Sequence, residues 1–226
     1  MQKIFLYFLI YFLIAGPCCA APCYGTRMPD KEKFFSGIQN YTVLNRYLKD
    51  HNGKMRSVQN FILISYGLFD WLSIDLKGAA GNVRQHPEGE DEIDYSTYLG
   101  GGYGFRIKIL EENNTKMVFG FQHISIHPHT THIAGKKNKA VLDDWQFSFL
   151  ASRQFSLFTP YLGTRWSRMD YIHWVNNERS RKKSDLTKNI GLIVGVDIPL
   201  GERVWFNIEG NFFDVEAFAT SLNFQF

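Results

Sequence analysis

Hydrophobic and polar positions alternate most plainly at the end of the chain. Phe226, Phe224, Leu222, Thr220 and Phe218 fall on one face of an extended strand, and Gln225, Asn223, Ser221, Ala219 and Ala217 fall on the other. The same period of two runs through 190–198, where Ile190, Leu192, Val194, Val196 and Ile198 oppose Gly191, Ile193, Gly195 and Asp197. It returns in 204–212, with Val204, Phe206, Ile208 and Phe212 against Trp205, Asn207, Glu209 and Asn211, and in 72–77, with Leu72, Ile74 and Leu76 against Ser73, Asp75 and Lys77. Segments 37–48, 58–68, 71–80, 94–110, 116–127, 140–152, 157–169, 187–198, 203–212 and 216–226 read as strands. A soluble antiparallel sandwich alternates too, but its apolar face must be covered by a second sheet. Here the polar face carries mid-strand charges among glycines and small residues, which suits a narrow lumen. The pattern predicts an all-β, antiparallel up-and-down transmembrane barrel over 37–226. Ten strands are expected, or eight if the first hairpin lies outside the wall, with 37–48 closing against 216–226.

Connections alternate in length as well. Short turns are expected at Phe69-Asp70, 111–115, 153–156 and 199–203, and longer, more charged loops at 49–57, 81–93, 128–139 and 170–186, with a brief one near 213–215. Short turns on one side and long loops on the other are the arrangement of outer-membrane barrels. Trp71, Tyr95, Tyr161, Trp166 and Tyr171, near strand ends, are candidates for interfacial girdles.

The N-terminus sets the compartment. Lys3 precedes an apolar run from Ile4 to Ile14 and a small-residue exit, Cys18-Cys19-Ala20-Ala21, which reads as a signal peptide over 1–20. The run is too short to cross a bilayer, which takes about 20 apolar residues. Lipoprotein processing at the cysteines is the rival reading, opposed by Pro17 immediately before Cys18. Cleavage leaves Cys23 alone, without an internal disulfide or a cysteine metal site. Residues 21–36 read as an irregular periplasmic leader. A net charge of +3 is too small to indicate nucleic acid, and 16% aromatic residues suit a barrel whose apolar positions are interleaved with polar ones.

On these residues the chain resembles the small, monomeric outer-membrane β-barrels of Gram-negative bacteria, and its closing "FATSLNFQF" is similar to their C-terminal assembly signal. The resemblance implies that Leu222, Phe224 and Phe226 are read by the barrel-assembly machinery, and that the partners are outer-membrane lipids and lipopolysaccharide. No cofactor is expected.

Alternation points Asp75, Lys77, Arg106, Lys108, Arg165, Asp197 and Glu209 inward, as a packed polar core or as a charge-lined path for a small solute. His127, His129 and His132, in the stretch "GFQHISIHPHTTHIAGKKNK" with His123, are candidate metal ligands, since imidazole suits zinc or copper. If Phe119 and Phe121 face outward, so do His123 and Ser125. This His-x-Ser pair resembles that of the outer-membrane lipid A deacylases, which implies Ser125 as nucleophile and His123 as base, with Asp143 or Asp144 on the next strand as the orienting acid. The family has asparagine after the serine, where Ile126 stands, and a glutamate as its acid. Asp170 and His173 do not complete the acidic set that the ten-stranded outer-membrane proteases need. The loops 178–185 and 135–139 are basic, whereas 88–94 is acidic. Basic loops beside an outer leaflet of phosphorylated glycolipid suit its phosphates. The leading expectation is a non-enzymatic barrel with a structural or surface-interaction role. A narrow pore for small solutes and a deacylase-like hydrolase are the alternatives.

Overall fold

A computed structural model describes residues 25–50, 52–184 and 188–226. The expected signal segment 1–20, with Cys18 and Cys19, and also Cys23, lie outside the described residues. The strands are β1 (Phe34–Tyr47), β2 (Lys54–Phe69), β3 (Leu72–His86), β4 (Ile93–Glu112), β5 (Thr115–Ile126), β6 (Thr131–Ile133), β7 (Lys136–Arg153), β8 (Thr159–Val175), β9 (Glu178–Lys183), β10 (Ile190–Pro199), β11 (Val204–Phe212) and β12 (Val215–Gln225). Each wall strand pairs antiparallel with its chain neighbour, and β1 pairs with β12 from Phe35↔Gln225 to Arg46↔Val215. The sheet therefore closes into a 10-strand antiparallel barrel, with β6 and β9 as two further strands on one rim. Closure leaves no exposed sheet edge around the wall.

Side chains sort as the period of two demands. Gln39, Tyr41, Ser73, Asp75, Trp205, Asn207, Ala219 and Ser221 are buried inside, whereas Ile38, Ile62, Leu76 and Leu99 stand outside, each at least 60% exposed. A continuous apolar exterior is costly in water, about 25 cal/mol per Å². An aromatic band runs around part of it, formed by Tyr103, Phe105, Phe119, Phe121, Trp145, Phe147 and Trp166 in tilted and stacked contacts.

The start of β1, the end of β12 and the short turns gather at one end. Asn113 and Asn114 both take positive φ between β4 and β5, the geometry of a two-residue hairpin turn that asparagine tolerates. The same chemistry recurs at the opposite end, where Ala134-Gly135 joins β6 to β7 and Asn176-Asn177 joins β8 to β9. The expected loops 128–139 and 170–186 thus contain hairpins. β7 and β8 continue beyond the shorter β10, and β9 pairs with β8 from Asp170↔Lys183 to Val175↔Glu178, on the edge that β10 occupies lower down. A bridge from Ser184 to Leu48 carries this extension across to β1.

The leader enters the barrel mouth. Gly25, Thr26 and Pro29 are buried, Thr26 Oγ1 lies 2.5 Å from Ser152 Oγ, and the Arg27 guanidinium sits 5.0 Å from the Trp205 ring centre. Gly25 has φ +72° and packs against Asp197, where a Cβ would come within 2.6 Å of the carboxylate. Glu32 and Lys33 then hydrogen-bond with Gly67, and β1 starts at Phe34, three residues before the strand expected at 37.

Candidate functional site

Among the expected lumen charges, Asp75, Lys77, Arg106, Arg165, Asp197 and Glu209 are all buried within the barrel. Arg106 grips Asp75 in bidentate fashion, Nε to Oδ2 at 3.1 Å and Nη2 to Oδ1 at 3.2 Å, and also donates to the carbonyl of Arg27 in the leader. Lys77 donates to Gln39 at 3.1 Å and to Gln122 at 2.8 Å. The Tyr161 hydroxyl donates to Glu209 at 2.9 Å, and Asn207 donates to Asp197 at 2.8 Å. Arg165 lies 3.8 Å from Asp214, which also pairs with Arg46. Lys108 sits apart from these, half-buried at the short-turn rim against Glu111. The centre of the lumen is a cross-linked polar core, which makes its charges structural partners of one another. Tyr95, Tyr161 and Tyr171 also face inward and are buried, so of the five aromatics expected in girdles only Trp71 and Trp166 stand on the exterior.

The outer wall carries a second polar cluster. Ile124 and Ile126 turn into the core, so His123 and Ser125 between them turn out. Ser125 Oγ donates to Asp143 Oδ1 at 2.5 Å, and His127 Nε2 lies 2.9 Å from the same Oγ. His123 Nε2 is 3.8 Å from Asp143 Oδ1, and its ring packs on Trp145 at 4.2 Å and on Tyr103 at 5.4 Å. The backbone N–H of His127 donates to the Leu99 carbonyl at 2.9 Å, which extends the ladder one residue past β5 and holds this imidazole over the wall.

Strand pairing fixes what flanks the cluster. Ser125 is opposite Gly101 on one side and opposite Asp143 on the other, and Gly101 is opposite Gly78. A Cβ at Gly78 would meet no heavy atom within 4 Å. Two glycines in register leave a notch in the apolar exterior beside a serine, bounded below by Leu76 and Tyr103 and above by Ala80 and Leu99. Beyond Asp143 stands Asp170, fully buried beneath Arg168 and Arg181.

Several expected roles move. Asp144, one of the two candidate acids, faces the lumen, where Gln146 donates to it at 2.6 Å, and Asp143 alone reaches the serine. The imidazole within hydrogen-bond reach of Ser125 is His127, while His123 stacks against the aromatic band. The expected metal set separates: His127 bonds Ser125, His129 packs tilted on Tyr98 at 4.1 Å, and His132 is exposed on β6 opposite Lys137. Among the described residues no group of three or more His, Cys, Asp or Glu is placed to hold a metal ion. Alternation alone puts 123, 125 and 127 on one face. The glycine notch is legible only once the strand registers are known.

No family model matches the chain, and no curated protein matches it. Among solved structures it is similar to the COG4313 outer membrane channel from Pseudomonas putida F1, with TM-score 0.49 and 9% identity over 92% of this chain and 100% of that one. It is also similar to the outer membrane protease OmpT from Escherichia coli, with TM-score 0.41 and 13% identity over 86% and 95% of the two chains. The translocator domain of the autotransporter NalP from Neisseria meningitidis gives TM-score 0.43 and 9% identity over 86% and 87%. The likeness is one of barrel shape and says nothing about chemistry.

Proposed function

We propose that this protein is a monomeric integral barrel of the bacterial outer membrane that hydrolyses acyl esters of the surrounding lipid, with Ser125 as the nucleophile. The observation that carries the reading is the hydroxyl of Ser125, on the apolar exterior, within hydrogen-bond reach of both Asp143 and His127. Polar groups are not needed on a wall that meets lipid, and their convergence beside a notch supports chemistry there. Depth supports it too. Ser125 is ten residues beyond Thr115, at the start of β5. At about 3.3 Å per residue and a tilt of roughly 40°, that is about 25 Å above the short turns, the height of the apolar band of an outer-membrane barrel.

The step follows the general logic of an activated hydroxyl. The Ser125 hydroxyl turns its hydrogen from Asp143 to His127 Nε2 and passes the proton there as Oγ bonds to the ester carbonyl carbon, and the alcohol leaves with that proton. Water then attacks the acyl-enzyme, giving its proton to the same imidazole, and the fatty acid departs as Oγ recovers its hydrogen. The Asp143 carboxylate, on the same Oγ, favours the imidazolium that forms between these events. The notch at Gly78 and Gly101 leaves room for the acyl chain.

The cross-linked lumen and the leader in its mouth weigh against passive diffusion, and a purely structural barrel leaves the polar exterior cluster without a use. The signal segment over 1–20 supplies export, and Leu222, Phe224 and Phe226 serve as the assembly signal. The deciding experiment refolds the wild type and Ser125→Ala into vesicles of outer-leaflet glycolipid and phospholipid and follows released fatty acid by mass spectrometry. Release by the wild type and none by the variant, at equal folded fraction, is expected. Equal silence from both returns the protein to a structural role.

A further inference from the structure

Beyond the serine, the same outer face becomes strongly cationic. On β9 the sequence "ERSRKK" alternates so that Arg179, Arg181 and Lys183 lie opposite Trp174, Ile172 and Asp170, the outward residues of β8, while Glu178 lies opposite Val175 on the other face. On β7 the outward residue opposite Trp174 is Lys139. The result is an aromatic ring flanked by two cations, with Lys139 Nζ 5.3 Å and the Arg179 guanidinium 5.7 Å from its centre.

One rung below, the Asp170 carboxylate is fully buried, and Arg168 donates to it from Nε at 3.3 Å and Nη2 at 3.1 Å while Arg181 pairs with it as well. Both arginine side chains remain partly exposed, 33% and 43%. A single carboxylate beneath two arginines fixes their positions and leaves a net positive charge pointing outward. Asp143, opposite Asp170 on β7, accepts from Ser125, so two acids on this face stand against Arg168, Arg179, Arg181, Lys139 and Lys183.

We propose that Arg168, Arg181, Arg179 and Lys139 form a clamp for a phosphate-bearing lipid headgroup, seated on Trp174 with its acyl chains running down past Ser125 and onto the aromatic band, which starts one rung below the serine. Planar guanidinium groups suit phosphate oxygens in paired hydrogen bonds, and a tryptophan between cations suits the wet edge of a bilayer. Trp174 lies four residues beyond Asp170 on β8, which raises it about 10 Å above the serine row and into the headgroup zone. This deepens the proposed function by naming its substrate as an anionic, phosphorylated acyl lipid.

The test separates binding from turnover by using Ser125→Ala in detergent micelles, with and without Lys139→Gln and Arg179→Gln. Native mass spectrometry reads retention of a phosphorylated glycolipid, of the same lipid after enzymatic dephosphorylation, and of inorganic phosphate added as competitor. The expected result is retention of the phosphorylated form only, lowered about tenfold or more by the two substitutions and weakened by salt. Equal retention of both lipid forms overturns the clamp while leaving hydrolysis untouched. Displacement by inorganic phosphate at equal concentration overturns the lipid as its source. Persistence of retention in wild-type-like folded variants with all four cations neutralised overturns the assignment of these residues.

Discussion

Asp143 and Asp144 are neighbours in the chain and look to opposite sides of the barrel wall: the first accepts from Ser125 at 2.5 Å outside, the second from Gln146 at 2.6 Å inside. Two carboxylates joined by one peptide bond therefore have separable roles. Asp143→Asn is expected to lower lipid ester turnover on the order of a hundredfold, the usual reach of an acid–base partner, with an unchanged unfolding midpoint. Asp144→Asn is expected to leave turnover intact, because it meets neither the serine nor its imidazole. Turnover of both variants on one vesicle preparation decides, and equal effects would remove Asp143 from the site.

The glycine notch makes a prediction about binding alone. Gly78→Ala adds a methyl group where no atom lies within 4 Å and is expected to be tolerated, whereas Gly78→Leu fills the space next to Ser125. The larger residue should raise KM with little change in kcat, the pattern of lost binding shared by ground and transition states. A fall in kcat at unchanged KM would place the substrate elsewhere.

The leader predicts an electrical phenotype. Thr26 is held by Ser152, Arg27 lies on Trp205 and is bound through its carbonyl by Arg106, and Gly25 abuts Asp197. The complete chain in a planar bilayer is expected to be silent, and removal of residues 25–31 is expected to produce openings. Steady conductance by the intact chain would restore the pore reading.

Stability predictions attach to the lumen. Arg106→Met takes away the guanidinium that grips Asp75 at 3.1 Å in a buried setting. Removing one partner of such a pair costs about 3–5 kcal/mol, and pairing it with Asp75→Asn should recover part of the loss. Urea unfolding followed by the mobility shift of folded barrels in electrophoresis measures both. Ser125→Ala, outside the lumen, should shift that midpoint by less than about 1 kcal/mol.

The wall was legible because a period of two is a local property. Ser73, Asp75 and Lys77 face inward as the alternation around them requires, and β12 pairs with β1 because an oily terminal strand must be held on both edges. The rim was less legible. Asn176-Asn177 and Ala134-Gly135 are turn signals within charged stretches, and charge there masks strands that rise beyond the apolar band. The burial of Tyr95, Tyr161 and Tyr171 was hidden for a related reason, since an aromatic near a strand end suits either side of a wall and only strand register chooses. His127 ends the strand expected over 116–127, and its role beside Ser125 depends on the extra rung to Leu99 that prolongs β5. Partners three strands apart, such as Gly78 and Asp143 on either side of the serine, depend on registers that no single segment encodes.

Under the proposed hydrolysis, the placement of Ser125 near the top of β5 would make the barrel a depth gauge. Its ladder ties the hydroxyl to the short turns by a fixed number of rungs, and the apolar belt ties those turns to the bilayer. The protein would then choose among chemically similar esters by how far below the surface each one lies. Membrane thickness would act as a determinant of selectivity.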